Sequence, residues 1–144
     1  MNYNLYFLIG GFVLLWILIN LIIYLFNRHK HNIFLNYIHE RKYTIVKDVE
    51  TETEGYSKFG SKITYRKSDI IFLDEEIFIL RLNKPIIQLS KSDEISPSIF
   101  YKFKYNSKVK INDRLQIKNS DESLKVNLNF KNKDFDVSSI LLLS

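Results

Sequence analysis

Residues 5–26, LYFLIGGFVLLWILINLIIYLF, run without a charged side chain, and Asn20 is the one strongly polar residue among them. At about 1.5 Å of rise per residue, a helix of this length reaches roughly 33 Å, enough to cross a hydrocarbon core of about 30 Å. Backbone N–H and C=O groups in lipid must pair within the segment, so a single span has to be helical. A soluble protein would need a domain large enough to hide every face of that helix. The chain has 144 residues, which leaves one small domain beyond the span and too little material to cover it.

The flanks favour an anchor that stays over a signal that is cleaved. A secretory signal carries a basic leading region, a shorter apolar run and a small-residue cleavage site. Here Met1-Asn2-Tyr3-Asn4 precedes the run and Asn27-Arg28-His29-Lys30-His31 follows it. Tyr3, Tyr6 and Tyr24 lie near its ends, where interfacial rings are favoured, and Trp16 lies near its middle. Arg28 and Lys30, followed by Arg41 and Lys42, put the positive charge after the span. The expectation is a single-pass protein of the cell (inner) membrane, with its N-terminus outside and its C-terminal domain cytoplasmic. Gly10 and Gly11 do not form the Gly-x-x-x-Gly spacing of a helix-dimer seam. Asn20 has two expected uses, a bond across a helix pair or a local backbone bond.

Residues 1–31 are thus read as anchor plus basic flank, residues 32–42 as a juxtamembrane helix or linker, and residues 43–144 as a β-rich domain. Ile33, Phe34, Tyr37, Ile38 and Arg41 fall at helical spacing, so the helix is expected to continue for two or three turns. Lying flat on anionic headgroups is the alternative. Residues 43–49 are β-branched and predict a strand. Glu50, Glu52 and Glu54 alternate with Thr51 and Thr53 and predict a solvated edge. Residues 55–60 predict a turn.

From residue 62 onward the pattern has period two. Strands are expected at residues 62–66, 69–73, 76–81 and 86–89, with Asp74-Glu75 as a hairpin turn and Asn83-Lys84-Pro85 as a break. Residues 90–97 predict a loop. In residues 98–105, Tyr101, Phe103 and Tyr105 alternate with Lys102 and Lys104. Residues 108–111 alternate again, Asn112-Asp113 predicts a turn, and Leu115 and Ile117 oppose Arg114, Gln116 and Lys118. After a turn at residues 119–122, Leu124, Val126, Leu128 and Phe130 are expected inside. Residues 134–144 predict either a last strand or a short helix capped by Asp134 or Asp136. The fold class expected is one N-terminal transmembrane helix plus an all-β or mainly β antiparallel barrel or sandwich.

A single span followed by about seven strands resembles the layout of bacterial membrane-anchored pleckstrin-homology-like domains. The resemblance covers roughly residues 43–144, and the hairpin DIIFLDEEIFIL at residues 69–80 is the most similar stretch. It implies a barrel with one end closed by a C-terminal amphipathic helix, here residues 135–143. It transfers no functional residue, since fold does not fix function.

No catalytic signature is present. The chain lacks cysteine, which excludes disulfides, thiol catalysis and thiolate-held metal. All three histidines precede residue 40. His29 and His31, which with His39 and Glu40 could ligate a metal, sit at the membrane boundary beside Arg28 and Lys30 and are read with the positive flank instead. Asp69, Asp74, Glu75 and Glu76 are read as the solvated ends of a hairpin rather than as paired catalytic carboxylates. No cofactor is expected, because no Gly-rich phosphate loop occurs.

What remains is a surface. Lys102, Lys104, Lys108, Lys110, Arg114, Lys118, Lys125 and Lys131 each oppose the apolar residues of their strand, so one basic sheet face is expected. The net charge of +5 agrees. Its weight is discounted, because a chain rich in Ile, Lys and Asn and lacking Ala shows compositional drift. Such a face fits anionic lipid. It does not fit nucleic acid, because the aromatics alternate inward and leave no stacking row. The expected function is a membrane-anchored, non-enzymatic binding or scaffolding module for a protein partner or the lipid surface. The alternatives are a structural accessory subunit, marked by an uncovered apolar stretch such as residues 140–143, and a small-ligand-binding barrel.

Overall fold

The computed structural model describes residues 3–55, 62–81, 84–92, 100–120 and 123–141. The chain divides into two units, Met1–Glu40 and Arg41–Ser144. Most of the turn expected at 55–60, part of the break at 83–85, residues 93–99, part of the turn at 119–122 and the last three residues lie outside the described residues.

The first unit is helix α1, Tyr3–Ile38. Every side chain from Tyr6 to Phe26 is exposed, and the helix is long and apolar enough to cross a membrane. An apolar surface on all sides suits lipid rather than one packed seam. Asn20 donates its amide to the Trp16 carbonyl at 2.8 Å, one turn back. The local use of Asn20 is therefore the one observed. Beyond Phe26 the helix runs unbroken to Ile38, as the spacing of its apolar residues predicts.

The second unit is an eight-stranded sheet with a short terminal helix. Its strands are β1 Thr44–Glu54, β2 Lys62–Leu73, β3 Glu76–Leu80, β4 Ile87–Ser90, β5 Tyr101–Lys104, β6 Ser107–Ile111, β7 Arg114–Lys118 and β8 Lys125–Asn129, and the helix is α2 Val137–Leu141. The ladder order is β5-β4-β3-β2-β1-β8-β7-β6. Every pairing is antiparallel except β4 with β5, which is parallel. This corrects a fully antiparallel expectation. The residues 91–100 between β4 and β5 are too many for a hairpin and enough to return the chain to the same end.

The ladder is open in its hydrogen bonding, yet its ends meet. β5 and β6 close opposite ends of the order, while only Tyr105 and Asn106 join them. The three steps from Lys104 to Ser107 span at most about 11 Å, so the sheet curls until its edges share a corner. The Tyr105 amide donates to the Ser90 carbonyl at 3.0 Å and the Asn106 amide to the Lys118 carbonyl at 2.8 Å. These two bonds tie the corner to both ends of the sheet.

Inside the curl lie Val46, Val49, Ile70, Phe72, Ile79, Leu89, Leu115, Ile117, Val126 and Leu128, with Val137 and Ile140 of α2. Val46 and Val49 are three residues apart, which strict alternation would send to opposite faces. A register shift between them and a positive φ of 54° at Asp48 turn both inward, the effect expected of a β-bulge. Ile71, Leu73 and Phe78 occupy the other face of β2 and β3 and are buried as well. Phe78 meets Phe100 edge-on, with ring centroids 5.6 Å apart. Burial on both faces explains why residues 69–80 read as a nearly continuous apolar run.

Three strand expectations need correction. Residues 62–66 and 69–73 form one strand rather than two. β1 is central, paired with β2 and β8, so Glu50, Glu52 and Glu54 do not mark an edge. They face outward because Thr51 and Thr53 face in, where both are buried. Tyr101 stands at the open end of β5 with 49% of its surface exposed, so the inward side it was expected to share with Phe103 and Tyr105 does not bury it.

The tail is a helix. The Asp136 carboxylate accepts from the Ser138 amide at 2.8 Å, as an N-cap does, and this bond lowers the acid's pKa. Phe135, just before it, stacks on Phe72 at 5.7 Å and leans on Phe130 at 5.1 Å.

Candidate interaction surface

Cross-strand neighbours share a face, so the register assigns every basic side chain to a side. On the outer face three rows run across the sheet. One is Ile111, Arg114, Asn129, Glu50; the next is Val109, Gln116, Asn127, Glu52; the third is Ser107, Lys118, Lys125, Glu54. Arg114, Lys118 and Lys125 thus face outward, as expected.

Lys108 and Lys110 do not join them. Lys108 lies opposite Ile117, and Lys110 opposite Leu115; both of those neighbours are buried core residues. The two lysines therefore face the inner side, and Val109 and Ile111 face out, 49% and 46% exposed. The two-residue turn at Asn112-Asp113 forces this arrangement, because it fixes Ile111 opposite Arg114. Asn112 takes a φ of 55° there, the positive value that primed hairpin turns need at their first central residue. Lys102 and Lys104 sit on β5 on the face of Gln88 and Ser90, at the far end of the ladder. Lys131 lies beyond β8, exposed. Arg114, Lys118 and Lys125 thus share the outer face while the other five lie elsewhere, and the single face of eight basic residues expected from alternation does not form.

The inward lysines hold α2. Lys108 Nζ donates to the Ile140 carbonyl at 3.4 Å, and Lys110 Nζ donates to Ser138 Oγ at 2.7 Å, with Asp136 4.0 Å away. One lysine meets the carbonyl end of the helix and the other its capping end, the sides to which a cation and a capped acid belong. Burial, reinforced by the nearby charge of Lys91, pulls the Lys108 pKa down. Ile140 is buried beneath this contact, so it is not an uncovered patch; residues 142 and 143 lie outside the described residues.

Acids on the outer face are largely engaged within the sheet. Lys62 lies 3.1 Å from Glu52 and 3.6 Å from Glu54, which raises its pKa. Lys125 lies 3.9 Å from Glu54, and Asn129 donates to Glu50 at 3.1 Å. Among the described residues, no three His, Asp or Glu side chains gather as metal ligands would.

Two features escaped the sequence reading. Glu76, read as solvated, is buried, accepts from the Gln88 amide, and pairs with Arg41 at 3.2 Å. By sequence alone Arg41 belongs with the membrane flank. The signal was a carboxylate opening the apolar run EIFIL. The other feature is the partner of the Tyr105 hydroxyl: Tyr105 is buried at the corner, inward as expected, and its hydroxyl donates to the Glu75 carbonyl at 3.0 Å. Burial, reinforced by the Glu75 carboxylate, pushes its pKa from 10.0 up to about 12.

A raised phenol pKa stabilises the fold fully below the unfolded value near 10 and is lost as pH climbs through about 12. The alkaline loss of stability should therefore be steeper in the parent than in Tyr105→Phe, which lacks the ionisable hydroxyl. Denaturation midpoints taken across that window, beside the phenolate absorbance, check this; parallel curves would refute it.

Comparison with protein-family models, curated proteins and solved structures gives no match for this chain.

Proposed function

We propose that this chain is a membrane-anchored, non-enzymatic protein-binding module, held by α1 in the cell membrane with its β-domain on the cytoplasmic side. The observation that carries the reading is the register of β6. It turns Val109 and Ile111 outward on the last strand of the ladder, beside the outward Arg114. An apolar pair rimmed by an arginine is the make-up of a protein contact. A lipid-facing plane needs its charges on one side, and Lys108 and Lys110 point the other way. Arg28 and Lys30 after the span support the cytoplasmic placement. The antiparallel runs β1–β4 and β6–β8, with α2 seated on the core, support the pleckstrin-homology-like likeness, while the parallel β5 and the five-residue α2 depart from it.

A photo-crosslinking side chain in place of Val109, in the full chain in its native membranes, tests this. A discrete protein adduct is expected there and not with the same group at Thr64, on the outer side of β2. Adducts to lipid alone would overturn the reading.

A further inference from the structure

We infer that the open edge of β6 takes an extended polypeptide segment in which acidic and apolar residues alternate, adding it to the sheet as a further strand. This rests on the protein-binding reading above and names the partner's chemistry.

The edge is available in its backbone. The two-residue turn makes Ile111 and Arg114 a hydrogen-bonded pair, and every second residue of β6 then bonds to β7. Ser107, Val109 and Ile111 direct their peptide groups to β7. Lys108 and Lys110 direct theirs to the other side, where no strand among the described residues pairs with β6. An added strand gains those bonds.

The side chains select what is added. A strand beside β6 places its residues opposite Ile111, Lys110, Val109 and Lys108 in turn. The residues opposite Val109 and Ile111 fall on the outer, exposed side and gain by being apolar. Those opposite Lys108 and Lys110 fall beside two ammonium groups on the inner side. Lys110, with its side chain 37% exposed, keeps donor capacity for a carboxylate. A second copy of this chain does not fit. Antiparallel self-pairing about Val109 sets Lys108 against Lys110 twice, and like charges directly opposite are destabilising. Inward-pointing charge of this kind commonly protects an edge; here the protection works against like-charged strands and admits acidic ones. Arg114, exposed on the outer face one strand further in, adds charge of the same sign.

The test uses the full chain in detergent micelles and a short labelled peptide with alternating valine and glutamate at its centre, read by fluorescence anisotropy. Binding is expected, and amide exchange at Lys108 and Lys110 should slow. A peptide with lysine in place of glutamate should not bind. Lys110→Pro removes one outward N–H without touching the β7 ladder, and Lys110→Ala removes the side chain but keeps that N–H. The proline variant should bind roughly tenfold more weakly than the alanine variant, about 1.4 kcal/mol, with thermal midpoints alike in the two. Equal binding by both variants, or by both peptides, would overturn the inference. So would binding to phosphatidylserine vesicles with none to the peptide. A protein adduct at Val109 together with peptide failure would remove this inference and leave the protein-binding reading standing; lipid adducts alone would remove both.

Discussion

Phe72→Ala is expected to cost the β-domain about 3–5 kcal/mol, the range for removing a buried aromatic side chain. Phe72 is 4% exposed on the inner face of β2. Its ring stacks on Phe135 at 5.7 Å and tilts against Phe130 at 6.2 Å. It therefore joins three elements: a central strand, the exit of β8 and the entry to α2. Truncation removes the platform on which Phe135 rests and leaves a void that α2 is too short to fill. For a domain of this size the loss is comparable to its whole margin of stability. The infrared amide I band of the strands during denaturation reports the domain, and the fluorescence of Trp16 reports α1 separately. A thermal midpoint unchanged in Phe72→Ala would refute the packing described for this corner. Phe72→Leu keeps much of the apolar volume and should lose far less.

The apolar helix was legible because its uncharged run is far too long for a strand. β7 and β8 were legible because one face of each is wet and the other dry, and β2 and β3 because residues 70–73 and 76–79 are apolar on both faces apart from Glu76. The misreadings of β1 and β6 concern pairing. Alternation tells that two faces differ, while the pairing partner decides where a strand sits and which face is inside. On β1 the carboxylates face outward as expected, but Thr51 and Thr53, small and polar, gave no sign of a partner strand on each side. β6 is the sharper case. Its Lys-Val-Lys-Ile pattern suggests lysines outside. Yet Leu115 and Ile117 were read as inward, and Asn112-Asp113 as the turn. A two-residue turn with those inward residues places Lys110 and Lys108 inside too. The information was present in the turn length. What the sequence could not supply was the partner that makes inward lysines tolerable: the cap of α2 at Asp136 and Ser138, and the Ile140 carbonyl at its other end. Residues 134–144 read equally well as strand or helix, so that partner was invisible. The candidate surface changed accordingly, from a basic plane to an apolar pair on an edge strand.

Gly55→Ala is expected to cost about 3 kcal/mol or more. Gly55 follows the last residue of β1 with a φ of 80°, a left-handed conformation that costs a residue bearing a Cβ roughly 1–2 kcal/mol. Space adds the rest. A Cβ at this position would run into the Ser123 carbonyl, with the Leu124 Cα next beyond it. Both obstacles are backbone, so no rotamer change relieves them. The backbone there is held in place from its own side. The Leu124 amide donates to Asn119 Oδ1 at 2.9 Å, and Asn119 Nδ2 donates to Ser123 Oγ at 2.8 Å. Leu124 itself is buried in the core. Relief of the clash therefore means parting β1 from β8 at Glu54 and Lys125, their last pair, and drawing Leu124 out. Asn112→Gly gives the contrast: it relaxes a positive φ of 55° and should change stability by no more than about 0.5 kcal/mol. Denaturation midpoints of the two variants, measured on the full chain in the same micelles, decide the matter. A Gly55→Ala domain as stable as the parent would mean that Ser123 does not close on the end of β1.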